Sequence, residues 1–513
     1  MSLFKVAAAC AALGAALPAL AQPRPDESSM FGGDAPADGG VASPLNDNAA
    51  GDAASAAAGD RPIEARGTGG ESDRDASALG GPSIRNQFDT EEAKSDPLKV
   101  GGLLYLRAQG AVTESSRFKD IALSAPTQLD AFLDARPSDR VRGLVLARLH
   151  YDPTLDGSEP SAFSALPSST GSGSVIENQL PSNPSIALDQ IWVRFDIART
   201  VFVTAGKQHV KWGASRFWNP TDFLTPQRKD PLAVLDTRLG ANMVKFHLPW
   251  EAKGWNFYAL GLLDNAGPAN TLGELGAAGR AEVVLGHTEL GADAVVVHGR
   301  TPRYGFDLST ALGPVDLYGE AALRSGQDFQ VWRVKGEVDP SLPVSDALEQ
   351  VHPKGAQVQA SGGARTTVNY TESRALTIGG EYFYNPVGAN TALLYPWLIL
   401  QNQYTPFYAG QHYAALYALA AGLPGNFTNV SMALSTLGNL TDWSFITRLD
   451  VFVLVLSYLN VEAFGAVHYG ARGGEFRFGL DLPSIDVGGG QFTSPLHLAA
   501  PSADFGLGVR IAL

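Results

Sequence analysis

The chain has 513 residues, of which only 18% are charged, with a formal net charge of −14 and a mean hydropathy of −0.03. Soluble domains carry about 25% charged residues, helical membrane proteins show apolar runs of about 20 residues, and nucleic-acid binding needs a basic face; the sequence fits none of these. A transmembrane barrel fits, because its lipid-facing and lumen-facing residues alternate and average out.

Met1 to Lys5, an Ala/Leu-rich run and Ala19-Leu20-Ala21 before Gln22 form a basic start, an apolar middle and an A-x-A cleavage site. Residues 1–21 therefore read as a secretion signal peptide. Cys10, the only cysteine, falls inside it. The mature chain then has no thiol for a disulfide, metal or nucleophile, which suits a compartment outside the cytoplasm. Residues 22–97 are Ala, Gly, Asp, Ser and Pro with scattered carboxylates such as Asp34, Asp47 and Asp60. So little apolar surface cannot offset the entropy of ordering, and a disordered acidic periplasmic tail or linker is expected.

From Leu98 the texture changes to short alternating segments between Gly, Pro, Asn and Asp. In Val315–Arg324, Val315, Leu317, Gly319, Ala321 and Leu323 form one face, with Asp316, Tyr318, Glu320 and Arg324 on the other. The same period of two recurs in Leu129–Arg136, Arg140–Tyr151, Leu376–Tyr384, Phe445–Val453 and Asn460–His468, and predicts strands. Short turns are expected at Pro137–Asp139, Ala198–Thr200, Pro249–Gly254, Gly313-Pro314, Glu372-Ser373 and near Tyr458. Longer loops are expected around 114–127, 153–184, 213–235, 264–277, 326–355, 386–410 and 470–502. Alternating short and long connections are the rhythm of an outer-membrane barrel. The predicted fold is all-β: one transmembrane antiparallel barrel over 98–513 of about 18 strands, with 16 as the next count. The apolar runs Tyr413–Leu423 and Val451–Leu456 are too short to span as helices. The last strand, Asp504–Leu513, carries Gly508, Ile511 and Leu513 at the spacing of the C-terminal targeting signal of such barrels, with Leu in place of the usual aromatic residue.

The least generic stretch is Gly206-Lys207-Gln208-His209-Val210-Lys211-Trp212-Gly213, followed by Arg216-Phe217-Trp218-Asn219-Pro220-Thr221-Asp222. From Leu188 to Pro249 this G-x-Q-x-x-x-W-G…N-P-x-D pattern resembles a group of uncharacterised, porin-like Gram-negative outer-membrane barrels. The resemblance implies a strand feeding a loop and brings no catalytic residue. Physically, the segment is a strand running into a folded loop. Gln208, Trp212, Gly213, Trp218, Asn219, Pro220 and Asp222 are its candidate residues, either as a loop tucked inward to stiffen the wall or as a constriction loop. Trp212, Phe217 and Trp218 are alternatively read as part of an interfacial aromatic girdle.

Projected onto a barrel, Arg140, Arg142, Arg148, His150 and Arg194 point inward on early strands, joined by Lys207, His209 and Lys211 if that strand's parity allows. Glu320, Glu381, Asp450 and Glu462 point inward on later ones. A basic and an acidic lumen wall of this kind set ion selectivity in wide pores; the alternative is that these groups solvate one another across a plugged lumen. No metal is expected, since His209 and His247 lie on separate strands and no paired ligand spacing occurs. No phosphate loop, serine-hydrolase elbow or cofactor motif is present. The leading expectation is an outer-membrane porin-like channel for passive diffusion or selective transport of small solutes, not an enzyme. The second is a closed structural or surface-interaction barrel, and the third a barrel-embedded hydrolase. Expected partners are outer-membrane lipid, the barrel-assembly machinery and small solutes, with no nucleic acid; assembly into an oligomer stays open.

Overall fold

The computed structural model describes Pro97–Leu513 except residues 155–182, 226, 264–274, 336–347, 372–373, 402, 425–426 and 483–495. The expected signal, nearly all of the acidic tail and the Glu372-Ser373 turn lie outside the described residues.

Eighteen long strands follow one another around a single sheet: β1 (Leu98–Thr113), β2 (Thr127–Ser138), β3 (Val141–Tyr151), β4 (Ser185–Ile197), β5 (Val201–Gln208), β6 (Ala241–Trp250), β7 (Trp255–Leu262), β8 (Gly276–Leu285), β9 (Thr288–Val297), β10 (Arg303–Leu312), β11 (Val315–Ser325), β12 (Ala356–Thr371), β13 (Arg374–Tyr384), β14 (His412–Ala421), β15 (Val430–Asn439), β16 (Ser444–Leu456), β17 (Leu459–Gly470) and β18 (Pro501–Ala512). Each pairs antiparallel with its sequence neighbours, and β18 returns to β1 from Leu103↔Ala512 to Ala111↔Asp504. The nineteenth member of the sheet, Ala122–Ser124, only extends the edge of β1. The barrel is therefore closed, and closure leaves no unpaired ladder edge facing hydrocarbon.

The two faces of each strand are inverted relative to a soluble sandwich. Val145, Ile191, Val193, Phe195, Phe306, Leu308, Leu416 and Leu507 stand exposed outside, while Asp130, Asp293, Glu320, Arg448 and Arg510 are buried inside. On β11 the Val315, Leu317, Gly319 face points outward and Tyr318, Glu320 and Ala322 are buried. An apolar exterior around a charged interior places the chain in the outer membrane.

The start of β1 and the end of β18 share one rim with tight turns such as Gly313-Pro314, where Gly313 has φ 61°. A further tight turn there, Gly286-His287 with Gly286 at φ 64°, is absent from the sequence expectations. The longer connections collect at the opposite rim, although 298–302 and 440–443 are short. By the usual polarity of such barrels, the long-loop rim faces outward from the cell. It carries a cap built by α1 (Tyr395–Leu400), whose Tyr395 and Ile399 pack with Leu348, Ala389, Tyr404 and Phe478. No described helix is long and apolar enough to cross a membrane.

Candidate functional site

The connection between β5 and β6, residues 209–240, does not lie over the rim. Trp212, Phe217, Trp218, Asn219, Thr221 and Asp222 are buried, with Trp218 at 0% exposure. The segment folds into the lumen and crosses to the strands opposite.

Its neck is clamped by Asp189 of β4. Asp189 meets His209 Nε2 at 2.8 Å at the start of the segment and accepts the Gly240 N–H at 3.2 Å at its end. Gln208, the last residue of β5, donates to the carbonyls of Thr204 and Met243.

Its far side is held by two wall carboxylates. Glu320 of β11 accepts the N–H groups of Ser215 (3.1 Å) and Thr221 (3.3 Å), the Asn219 side-chain amide (3.2 Å) and the Thr221 hydroxyl. Glu381 of β13 accepts three consecutive N–H groups, from Arg216 (2.8 Å), Phe217 (3.1 Å) and Trp218 (2.9 Å), and the Tyr318 hydroxyl. Between them, Ser361 of β12 donates to the Trp218 carbonyl and receives the Ser215 hydroxyl at 2.6 Å. Hydrogen bonds to an ionised acceptor are about twice as strong as neutral ones. Gly213 is required here: it has φ 100°, and a Cβ would collide with the Glu320 carboxylate.

Aromatic packing completes the anchor. The Trp218 ring stacks on Phe383 at 5.6 Å and 10°, its Nε1 donates to the Phe407 carbonyl, and Phe217 meets Tyr417 edge-on. Asp222 pairs with Arg238 at 2.8 Å within the segment, and Arg324 donates to the Pro220 carbonyl.

This arrangement corrects two expectations. Trp212, Phe217 and Trp218 are not interfacial: they fill the lumen because the segment turns inward instead of lying along the rim. The exposed aromatic residues near strand ends include Tyr151, Trp250, Tyr304, Tyr370, Tyr384, Trp443, Tyr458 and Tyr469. Glu320 and Glu381 do point inward, yet both are occupied by the segment and offer solutes no free acidic wall.

The other predicted residues fall as follows. Arg142 and Arg148 lie on the lumenal face of β3, each held by carboxylates: Arg142 by Asp134 at 3.0 Å, Arg148 by Asp130 at 2.9 Å and Asp189 at 3.3 Å. Arg148 also donates to the Thr237 carbonyl of the inserted segment. His150 shares that face, and Arg194 on β4 lies 5.5 Å over the Trp192 ring. Arg140 is instead an exposed turn residue paired with Asp196 at 2.8 Å. Lys207 sits opposite Ile191 on the outward-facing parity and donates to the Leu188 carbonyl, so the strand's parity excludes it from the lumen. Lys211 lies half-buried in the inserted segment. Asp450 pairs with Arg448 on its own strand at 2.6 Å, and Glu462 meets Arg510 at 3.1 Å and the Tyr105 hydroxyl. Opposite charges thus interleave instead of forming one basic and one acidic wall.

Sequence reasoning missed Asp130, Asp134, Arg448 and Arg510, although each lies on the inward parity of an alternating strand. It also missed Arg280, which binds Glu282, Asp293 and Asp307 together. Among the described residues no group of three His, Cys, Asp or Glu side chains is placed to hold a metal.

Neither a protein-family model nor a curated protein matches the sequence. Solved structures do match at the level of the barrel. The outer-membrane protein OpdK from Pseudomonas aeruginosa has 9% identity over 82% of this chain and 99% of its own, with a TM-score of 0.44. OccK11 (OpdR) from the same organism also has 9% identity, over 81% and 96%, with a TM-score of 0.44. A triple mutant of the Rhodopseudomonas blastica porin has 11% identity over 81% and 100%, with a TM-score of 0.37.

Proposed function

We propose that the chain is an outer-membrane channel for small solutes, whose passage is set by the inserted segment 209–240 and not by the full width of the barrel. The supporting observation is the pair of carboxylate anchors, Glu320 and Glu381, that hold this segment across the lumen. A barrel of this strand number is wide enough for an aqueous channel unless something fills it. Here the segment narrows it, and the remaining wall presents paired guanidinium and carboxylate groups that a polar solute exchanges for its hydration shell. On this reading residues 1–21 are a secretion signal, 22–97 a periplasmic tail, and the barrel is inserted by the assembly machinery into lipid, with no chemistry performed on the solute. The test is single-channel recording of the mature chain in a planar bilayer. Stepwise conductance well below that of an unobstructed barrel of this size supports the reading, and a folded barrel that passes no current removes it. The closed interaction barrel is the second reading, favoured by the apolar cap around α1 at the long-loop rim.

A further inference from the structure

Most lumenal arginines are neutralised by a neighbouring carboxylate, as Arg142, Arg148, Arg280 and Arg448 show. At the long-loop end of β10 and β11 the pattern breaks. Tyr304 pairs with Leu323, so Arg303 and Arg324, one step further along each strand, stand side by side on the lumenal face. Arg228 of the inserted segment is within Coulombic reach of both, and Arg300 of the short 298–302 turn is within reach of Arg303. The acids in range are Asp222, already paired with Arg238, and Asp328, which takes the Thr301 hydroxyl. Like charges directly opposite each other in a sheet destabilise it. In addition, Nε of Arg324 is buried with no hydrogen-bond partner. Two of the four side chains are held from behind by aromatic faces, Arg324 over Phe223 at 4.9 Å and Arg228 over Tyr408 at 5.3 Å. Arg228 and Arg300 are exposed, so the cluster opens towards the mouth.

Four guanidiniums with one uncommitted acid, preset by a stapled loop and with Arg324 Nε left without an acceptor, form a site awaiting an anion. We propose that Arg228, Arg300, Arg303 and Arg324 bind a doubly charged oxyanion of the phosphate type at the mouth of the channel. Guanidinium forks match the planar and tetrahedral oxygen pairs of such an anion, whereas a halide offers a single point of contact. Capture at the mouth would raise the local concentration of the solute before the constriction. The proposal rests on the channel reading for its physiological sense but not for its binding chemistry.

The probe is inorganic phosphate, titrated calorimetrically into the full mature chain in detergent and then added to the bilayer recordings in chloride. Saturable binding is expected, with acetate failing to compete, and phosphate should interrupt the chloride current. Arg303→Gln and, at the exposed loop position, Arg228→Gln should each weaken binding about tenfold or more, as the loss of a charge-assisted fork implies, with heat-modifiable electrophoretic mobility confirming that both variants fold. A wild-type barrel that conducts chloride and binds no phosphate overturns the proposal and leaves the channel intact. Binding undiminished in folded Arg228→Gln and Arg303→Gln also overturns it. A barrel that binds phosphate through these arginines yet passes no current keeps the site and removes the channel.

Discussion

At Glu381 one carboxylate receives three successive backbone N–H groups of a segment more than a hundred residues away in sequence. Replacing it with alanine leaves those buried donors without acceptors, at a cost of about 3 kcal/mol. The expected result for Glu381→Ala is a folded barrel in which limited proteolysis cuts within 214–236, where the wild type resists; resistance equal to wild type would show that Glu381 is not an anchor. Glu475 illustrates a different physics at the outer rim. It is buried in the cap, accepting the Tyr413 hydroxyl at 2.5 Å, the Asn439 amide at 2.7 Å and the Phe407 N–H. Burial, reinforced by the nearby Asp442 carboxylate, pushes its pKa up to about 8. The folded value lies above the unfolded one, so the protonated form stabilises the cap. That contribution is full below about pH 4.3, the ordinary glutamate value, and is lost as pH rises through about 8. Hydrogen exchange at the Phe407 amide should therefore quicken from pH 5 to pH 9 beyond its intrinsic rate, and Glu475→Gln should flatten that excess. Equal protection at both pH values in the wild type would contradict the assignment.

Among the elements, β18 shows how small residues make room for large ones. Gly506 and Gly508 face the lumen, and a Cβ at either would strike Phe464 or Glu462 of β17. Gly508→Val should cost about 1–3 kcal/mol by overpacking, visible as a lower denaturant midpoint with the barrel still formed; an unchanged midpoint would mean that Glu462 swings aside freely. The inserted segment shows what a sequence reveals and what it hides. Gln208, the Trp212-Gly213 pair and Asn219-Pro220 mark a strand leaving its ladder for a structured loop, and this much was legible. The anchors were not, because Glu320 and Glu381 lie on ordinary alternating strands whose pattern says only that they face inward. The aromatic residues were misplaced for a related reason: a ring near a strand end has the same local pattern whether the loop hugs the rim or dives into the lumen.

For the whole molecule, alternation and the rhythm of connections were enough to derive a barrel of about eighteen strands, with sixteen as the next count; the structure has eighteen long strands in a closed ring. A strand that slips by one residue reverses its faces, and Lys207, at the end of β5 beside the Gly206 distortion, is where that sensitivity showed. The pairing of charges across neighbouring strands was beyond reach, since it depends on register. Register joins Arg142 to Asp134 and Arg148 to Asp130 on adjacent strands, and so replaces segregated walls with interleaved ones. Whether the segment holds the lumen narrow is read by single-channel conductance of the wild type against a variant with 214–236 replaced by a short Gly/Ser linker. A several-fold larger and noisier step in the shortened variant is the predicted result. Equal steps in the two proteins, or silence in both, would show that the segment does not narrow an open channel.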